Sequence, residues 1–158
     1  DGVAIFFYIF IKYQKVWVDK AFLIQKAAEV EKINLIWHKI ICRVPADITT
    51  FGRPSYSHIL CFSRKFELDH SQSTPDVISH VGDKIWERGM GLEACLLIAK
   101  FLRKNVLPEI VINPFCGQGS LTSVLEAHEL HSIGIEKSPK RAKIAEKTKY
   151  SIELKKWY

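Results

Sequence analysis

The feature that most limits how this chain can fold is an abrupt change from a strand pattern to a helix pattern in its second half. Residues 109–112 form a short, β-branched run after Pro108, which is typical of a buried parallel strand. Apolar residues then recur at helical spacing from Leu121 onwards. Gly117 and Gly119 lie between the two patterns. Glycines there allow a sharp turn and a close approach to a ligand, and the helix N-terminus offers N–H groups to an anion.

A second strand is predicted at residues 132–136, and it ends in the acid Glu136. Nucleotide-binding folds place a carboxylate at this point, where it binds the ribose hydroxyls. The third glycine of the dinucleotide fingerprint is absent, because Thr122 stands in its place. A tight turn in another α/β protein, with Glu136 merely solvated, is the alternative. The whole series of strand, turn, helix, strand and acid favours a nucleotide-like cofactor.

The same series, with Asn-Pro-Phe-Cys-Gly-Gln-Gly-Ser at residues 113–120, resembles the cofactor-binding half of class I S-adenosylmethionine-dependent methyltransferases. The resemblance implies a Rossmann-like α/β fold with a mostly parallel sheet, one antiparallel edge strand and helices on both faces. It also implies S-adenosyl-L-methionine as the cofactor. Glu136 would hold the ribose hydroxyls. The other cofactor-binding residues implied in this loop are Asn113, Pro114, Phe115, Cys116, Gly117 and Gly119.

A second resemblance lies just before the helix predicted at residues 92–104. Arg-Gly-Met-Gly at residues 88–91 is similar to a segment that opens this helix in poorly characterised members of the same superfamily. The resemblance implies that Trp86, Arg88 and Gly89 lie beside the methionine part of the cofactor. The alternative is an ordinary helix entry in which Trp86 is a core residue.

The order of the predicted elements is permuted, because the glycine-rich strand follows the strands at residues 3–11, 34–43 and 56–63. This order resembles the beta-class amino-methyltransferases of nucleic acids. Residues 34–43 and 56–63 have no helix between them, so they must pair as a hairpin or meander, with residues 56–63 as the antiparallel strand. A helix is predicted at residues 19–32. Its expected inward face consists of Phe22, Leu23, Ala27 and Val30.

We expect residues 1–158 to form one methyltransferase-like domain. Residues 1–63 supply the strands of the substrate or catalytic half, residues 64–83 form a polar linker or mobile loop, and residues 84–158 form the cofactor-binding half. No Asp-Pro-Pro-Tyr or similar catalytic loop occurs in the sequence, so the catalytic residues stay unassigned. An upstream strand bearing that loop is therefore expected to be missing. Alternatively, residues 3–11 take its place, or a neighbouring chain pairs with the open sheet edge as an oligomer.

Composition limits the setting in which the protein works. The net charge is +6, which permits phosphate contacts with RNA or DNA, although a solvated helix face explains the late lysines equally well. The four cysteines form no Cys-x-x-Cys pair, which indicates an intracellular, cytoplasmic or nuclear, reducing compartment. We expect no metal site, since no ligands gather at zinc spacing around His128 and His131. The apolar run at residues 3–11 is too short to cross a bilayer, so no membrane association is expected.

The function that the sequence favours is an S-adenosylmethionine-dependent methyltransferase acting on an amino group of a nucleic-acid base. The missing catalytic loop favours an alternative, a catalytically inactive methyltransferase-like protein that binds cofactor or a partner. A nicotinamide-dependent oxidoreductase is disfavoured, because the third glycine is absent. We expect the 158 residues alone to bind cofactor without transferring a methyl group.

Overall fold

The computed structural model describes residues 2–158, which divide into two compact units, residues 2–81 and 82–158. The boundary lies inside the polar segment 64–83. Among the described residues, each unit contains two sheets and at least one α-helix. The elements of the first unit are β1 (Ala4–Tyr8), β2 (Ile11–Tyr13), β3 (Val16–Val18), α1 (Lys20–Val30), β4 (Asn34–Cys42), β5 (Tyr56–Ser63), a 3-10 turn (His70–Gln72) and β6 (Val77–Ile78).

Four strands of the first unit form a mixed sheet in the order β1-β5-β4-β6. β5 runs antiparallel to both β1 and β4, as predicted for residues 56–63, and β4 pairs in parallel with β6. The predicted edge position of β5 is wrong. This strand is buried from Ser57 to Ser63, so it needs a neighbour on each side. Because only one of the three pairings is parallel, the mostly parallel sheet is not confirmed.

The apolar run at residues 3–11 is not one strand. β1 ends at Tyr8, and the chain then forms a separate antiparallel hairpin, β2–β3. Gln14 and Lys15 at its tip both have positive φ, 48° and 68°. Two successive left-handed residues are the geometry of the turns that best match the twist of a two-residue hairpin.

Helix α1 packs on β5, but with a different face from the one predicted. Asp19 caps the helix, since its side chain accepts a hydrogen bond from the backbone N–H of Phe22 at 3.0 Å. Ala21 is buried against Leu60 and Phe62 of β5. The expected inward residues Phe22, Leu23 and Val30 are exposed, because a second apolar stripe, containing Ile24 and Ala28, faces the sheet instead.

The expected linker at residues 64–83 is attached to the sheet over part of its length. The buried Lys39 of β4 donates from Nζ to the carbonyl oxygens of Thr74 and Pro75, at 2.9 and 3.1 Å, and to Asp76 Oδ1 at 3.1 Å. A buried ammonium needs such partners, because its desolvation is otherwise costly. β6 then pairs with β4. Residues 74–78 are therefore attached to β4.

The second unit contains four helical and four extended segments among the described residues. They are α2 (Leu92–Phe101), a π-helical turn (Leu102–Val106), β7 (Val111–Asn113), α3 (Ser120–Ala127), β8 (Ser132–Gly134), α4 (Pro139–Ala145), β9 (Tyr150–Ser151) and β10 (Lys156–Trp157). The predicted strand, glycine turn, helix and strand are thus confirmed as elements. α2 and α3 pack together. Among the described residues, no helix has the length and apolar composition that a membrane crossing requires.

Candidate cofactor site

The predicted glycine turn lies at the carboxyl end of a parallel strand pair. β7 and β8 pair with Asn113 opposite Gly134. Beyond them, Ile135 N donates to Asn113 O at 2.9 Å, and Cys116 N donates to Ile135 O at 3.0 Å. The turn therefore crosses the end of β8 instead of projecting away. Open α/β sheets bind ligands just outside the carboxyl ends of their strands.

Both glycines of the turn adopt backbone angles that L side chains rarely reach. Gly117 has a φ of 59° and Gly119 a φ of 87°. A Cβ on Gly119 would lie 3.0 Å from Ala145 Cα and 3.1 Å from Ala145 O, at the end of α4. A Cβ on Gly117 would lie 3.5 Å from Trp86 Cζ2. Gly119 thus allows α3 and α4 to pack closely, whereas at Gly117 a Cβ would make only an ordinary contact and the left-handed φ is what favours glycine.

Asn113 and Phe115 lie at the outer side of this turn. Asn113 Oδ1 accepts a long hydrogen bond, 3.4 Å, from the backbone N–H of Phe115. The Phe115 side chain is 88% exposed and Pro114 is also exposed. These residues therefore form a solvent-accessible rim, in which the Asn113 side chain helps to shape its own loop.

Cys116 packs inward against the sheet. A Cβ on Gly134 would lie 2.9 Å from Cys116 Sγ, so β8 needs a glycine at that position. Partial burial, and secondly the nearby Glu136, raise the pKa of the Cys116 thiol. Cys116 therefore stays protonated near neutral pH, which does not suit a nucleophile.

Glu136 follows β8, and its side chain is held by a backbone N–H two residues further along the chain. Its side chain is only 11% exposed. Oε1 accepts a hydrogen bond from Ser138 N at 2.8 Å and lies 4.0 Å from Nη1 of Arg141. The carboxylate is thus oriented by one oxygen, while Oε2 takes no part in either contact.

Trp86 joins the two predicted segments of the site. The Arg141 guanidinium lies over its ring, 4.9 Å from the ring centre, as in a cation–π contact. Gly89 N donates to Trp86 O at 2.9 Å, and a Cβ on Gly89 would lie 2.8 Å from Trp86 Cδ1. Since Gly117 also lies beside the indole, Trp86 is the meeting point of Gly89, Gly117 and Arg141.

The structure therefore brings most of the predicted residues together and adds others. Trp86, Gly89, Gly117 and Glu136 are linked directly or through Arg141. Arg88 is exposed, and no contact with the other predicted site residues is described for it.

The sequence reasoning missed Gly134, Ser138 and Arg141. A usable signal existed for Arg141, because Ser138-Pro139 begins a helix and so places Arg141 in its first turn, near Glu136.

No three His, Cys, Asp or Glu side chains in the described part of the chain gather so as to hold a metal ion. What the site offers is a carboxylate, a cation, an aromatic ring and a glycine turn. These groups suit a polar organic molecule that carries hydroxyl groups.

Neither a protein-family model nor a curated protein matches the sequence. Solved structures do match. Over 92% of this chain, a Thermus thermophilus protein assigned as a DNA modification methylase, TTHA0409, aligns with a TM-score of 0.68, 13% identity and 68% coverage of its own chain. That protein was also solved in complex with S-adenosyl-L-methionine. The M1.HpyAVI complex with S-adenosylmethionine aligns over 92% of this chain and 73% of its own, with a TM-score of 0.63 and 18% identity. The chain thus shares the α/β fold of these two proteins.

Proposed function

We propose that this chain belongs to an S-adenosylmethionine-dependent methyltransferase that acts on an amino group of a DNA base. The observation that carries the proposal is the glycine turn at the carboxyl end of β7, with Glu136 held at the end of β8. The fold is shared with proteins solved as complexes with S-adenosylmethionine. RNA is the alternative nucleic acid.

The side chains around Glu136 fit the ribose of that cofactor. A ribose presents two vicinal hydroxyl groups, which a carboxylate accepts well. Oε1 of Glu136 is already held by Ser138 N, so Oε2 is the oxygen that we assign to the ribose. Its orientation is fixed before binding, which reduces the entropy that binding would otherwise cost.

The glycine turn fits the methionine end of the cofactor. Gly117 lies beside Trp86, and we assign the backbone of Asn113, Pro114, Phe115, Cys116 and Gly119 to the wall of the pocket. The amide oxygen of Asn113 can accept a hydrogen bond from the cofactor's ammonium group. An amide lacks the negative charge of a carboxylate, so we expect a weaker attraction than an aspartate would give.

The bound cofactor would supply an electrophilic methyl group on a sulfonium. The contribution of this chain is position and electrostatics, and no covalent enzyme intermediate is needed. The raised pKa of Cys116 is consistent with that role, since its thiol is not a nucleophile.

A catalytic loop of the Asp-Pro-Pro-Tyr type would have to come from outside the 158 residues, because the sequence contains none. We therefore propose that these residues bind cofactor but do not transfer its methyl group alone. We propose that, with a strand that carries this loop, the complete protein forms a single methyltransferase domain with a mostly parallel sheet and helices on both faces. The four cysteines are all free thiols, which supports an intracellular, reducing setting.

Calorimetry with S-adenosylhomocysteine, the demethylated product, tests the cofactor site. Glu136→Ala should weaken binding by about 1.5 to 3 kcal/mol, because hydrogen bonds to a charged group contribute that much. The matched control is Glu126→Ala, which removes an exposed acid that pairs with Lys149 at 3.0 Å on the same unit. Equal affinity in both variants, or tighter binding of NAD than of S-adenosylhomocysteine, would reject the proposal.

The missing loop keeps a second function open, a catalytically inactive cofactor-binding protein. Labelled S-adenosylmethionine incubated with this chain and with bulk DNA or RNA separates the two functions. The account predicts binding without incorporation for the 158 residues, and incorporation once a segment bearing the catalytic loop is added. No incorporation with that segment present would favour the inactive protein.

A further inference from the structure

We infer that the β2–β3 hairpin of the first unit is a contact surface for a single-stranded or locally opened nucleic-acid strand. The inference rests on the proposed function, which it extends by naming a surface for the substrate. Its components are two lysines, Lys12 and Lys15, and two exposed aromatic side chains, Tyr13 and Trp17.

The hairpin follows β1 at one edge of the four-stranded sheet of the first unit. β1 and β4 both run antiparallel to β5, with Tyr8 opposite His58 and Cys42 opposite Tyr56. Their carboxyl ends therefore lie at the same edge of the sheet, beside the start of β5. Phe10, which leads from β1 into the hairpin, contacts Tyr56 with the ring centres 6.3 Å apart. The hairpin thus emerges at the edge where α/β sheets bind their ligands.

The two aromatic side chains of the hairpin are exposed. Lys12 pairs with Trp17 across the hairpin, and Tyr13 pairs with Val16. Because neighbouring positions on a strand point to opposite faces, the two pairs lie on opposite faces of the hairpin. Tyr13 is 66% exposed and Trp17 is 47% exposed. Both rings therefore keep a large accessible surface.

The charged side chains of the hairpin are all positive. No aspartate or glutamate occurs between residues 2 and 18. Lys15 lies at the tip of the hairpin, and Lys12 lies in the second residue pair behind it. Lys12 Nζ lies 4.6 Å from the centre of the Trp17 ring. The nearest acid along the chain, Asp19, accepts a hydrogen bond from the helix backbone. A polyanion that also presents flat rings matches this surface better than a protein partner does.

The exposed rings favour a nucleic acid whose bases are unstacked. Aromatic side chains stack on bases only where the bases are not already stacked in a duplex. Enzymes that modify a base act on single strands or extrude the target base from its stack. A single or opened strand would place phosphates on Lys12 and Lys15 and a base on Tyr13 or Trp17.

Fluorescence anisotropy with a labelled single-stranded DNA oligonucleotide, measured across a salt series, tests the inference on the whole 158-residue chain. Each phosphate contact on a single strand contributes roughly 0.7 to the slope of log K against log salt. Lys12→Glu with Lys15→Glu should therefore reduce that slope by about 1.4. The control is Lys26→Glu with Lys32→Glu, which makes the same charge change on exposed residues of the same unit and should preserve the slope.

Stacking is tested separately by Tyr13→Ala and Trp17→Ala at constant charge. At least one of them should weaken binding by roughly 5- to 150-fold. A circular dichroism melt of each variant checks that the fold is kept, and the milder Tyr13→Leu and Trp17→Leu replace any variant that unfolds.

Three results would overturn the inference. The first is an equal loss of slope in the hairpin and control pairs, which would show that net charge alone attracts the strand. The second is a wild-type chain that binds S-adenosylhomocysteine but no oligonucleotide, which leaves the proposed function intact. The third is concentration-dependent dimerisation that Tyr13→Ala abolishes while oligonucleotide binding is unchanged, which would assign the hairpin to a second copy. Failure to bind S-adenosylhomocysteine would instead count against the cofactor site, whatever the oligonucleotide does.

Discussion

Two of the turns that enter the left-handed backbone region do so with different kinds of residue. The turn after β7 uses Gly117 and Gly119, where a Cβ would meet Trp86 or Ala145. The hairpin tip uses Gln14 and Lys15, which keep their side chains at an energetic cost. The first turn is shaped by what packs against it. The second keeps side chains in solvent, which suits a surface that contacts something else.

The largest expected effect is on stability, from Gly119→Ala. Its left-handed φ costs roughly 1 to 2 kcal/mol for an L side chain, and the approach to Ala145 adds about 1 to 3 kcal/mol of overpacking. Urea denaturation should show a loss of about 2 to 5 kcal/mol.

Gly52→Ala is the matched control for that variant. Gly52 has a similar φ, 79°, but among the described residues nothing lies within 4 Å of its Cβ position. It should lose only the backbone part, about 1 to 2 kcal/mol. Equal losses in the two variants would mean that the contact with Ala145 does not matter.

The sheet edge beside the hairpin should respond to acid through a pair of histidines. Near the hairpin edge, His38 Nε2 lies 2.8 Å from His58 Nδ1, and Tyr8 stacks on His58 with ring centres 5.1 Å apart. One histidine must donate and the other accept, so the bond cannot survive double protonation. Burial lowers the pKa of both histidines, and His38 lowers that of His58 further, although Asp19 opposes the shift.

The sign follows from linkage. Below the ordinary histidine pKa of about 6.5, the unfolded chain binds more protons than the folded chain. The free energy of unfolding should therefore decrease as the pH is lowered. Above about pH 6.5 these two histidines should contribute no slope. Urea denaturation between about pH 7.5 and 5 checks this, with His58→Phe expected to flatten the profile. A profile that is unchanged by His58→Phe would contradict it.

The smallest expected effect is at the hairpin tip. Replacing Gln14 by Asn and Lys15 by Gly should relieve the left-handed strain and stabilise the chain by about 1 kcal/mol. The same variant should weaken oligonucleotide binding, because it removes Lys15. A gain in stability without any loss of binding would separate the strain from the proposed contact.

The elements from β7 to β8 were predictable, because their signals are local. The hairpin of β9 and β10 was not predicted. The β-branched run, the two glycines and the following helical period lie close together along the chain, and their order alone places Glu136 at the end of a strand. Gly134 was missed because its role depends on a contact with Cys116, which no local pattern reveals. The helix start at Ser138-Pro139 could have placed Arg141 near Glu136, but its contact with Trp86 has no local signal.

The first unit was less predictable, because its arrangement depends on distant pairing. The interior position of β5 requires β1 to pair on its other side, and nothing within residues 56–63 indicates that neighbour. The inward face of α1 was predicted wrongly because two apolar stripes share the helix, and the one with larger residues, Phe22 and Leu23, faces solvent.

The central claim is that the carboxyl ends of β7 and β8 form the cofactor site. Hydrogen–deuterium exchange of this chain, with and without S-adenosylhomocysteine, tests it most directly. The account predicts slower exchange at residues 115–119 and 134–138, and no change at residues 11–18. Protection at the hairpin with none around the glycine turn would contradict it.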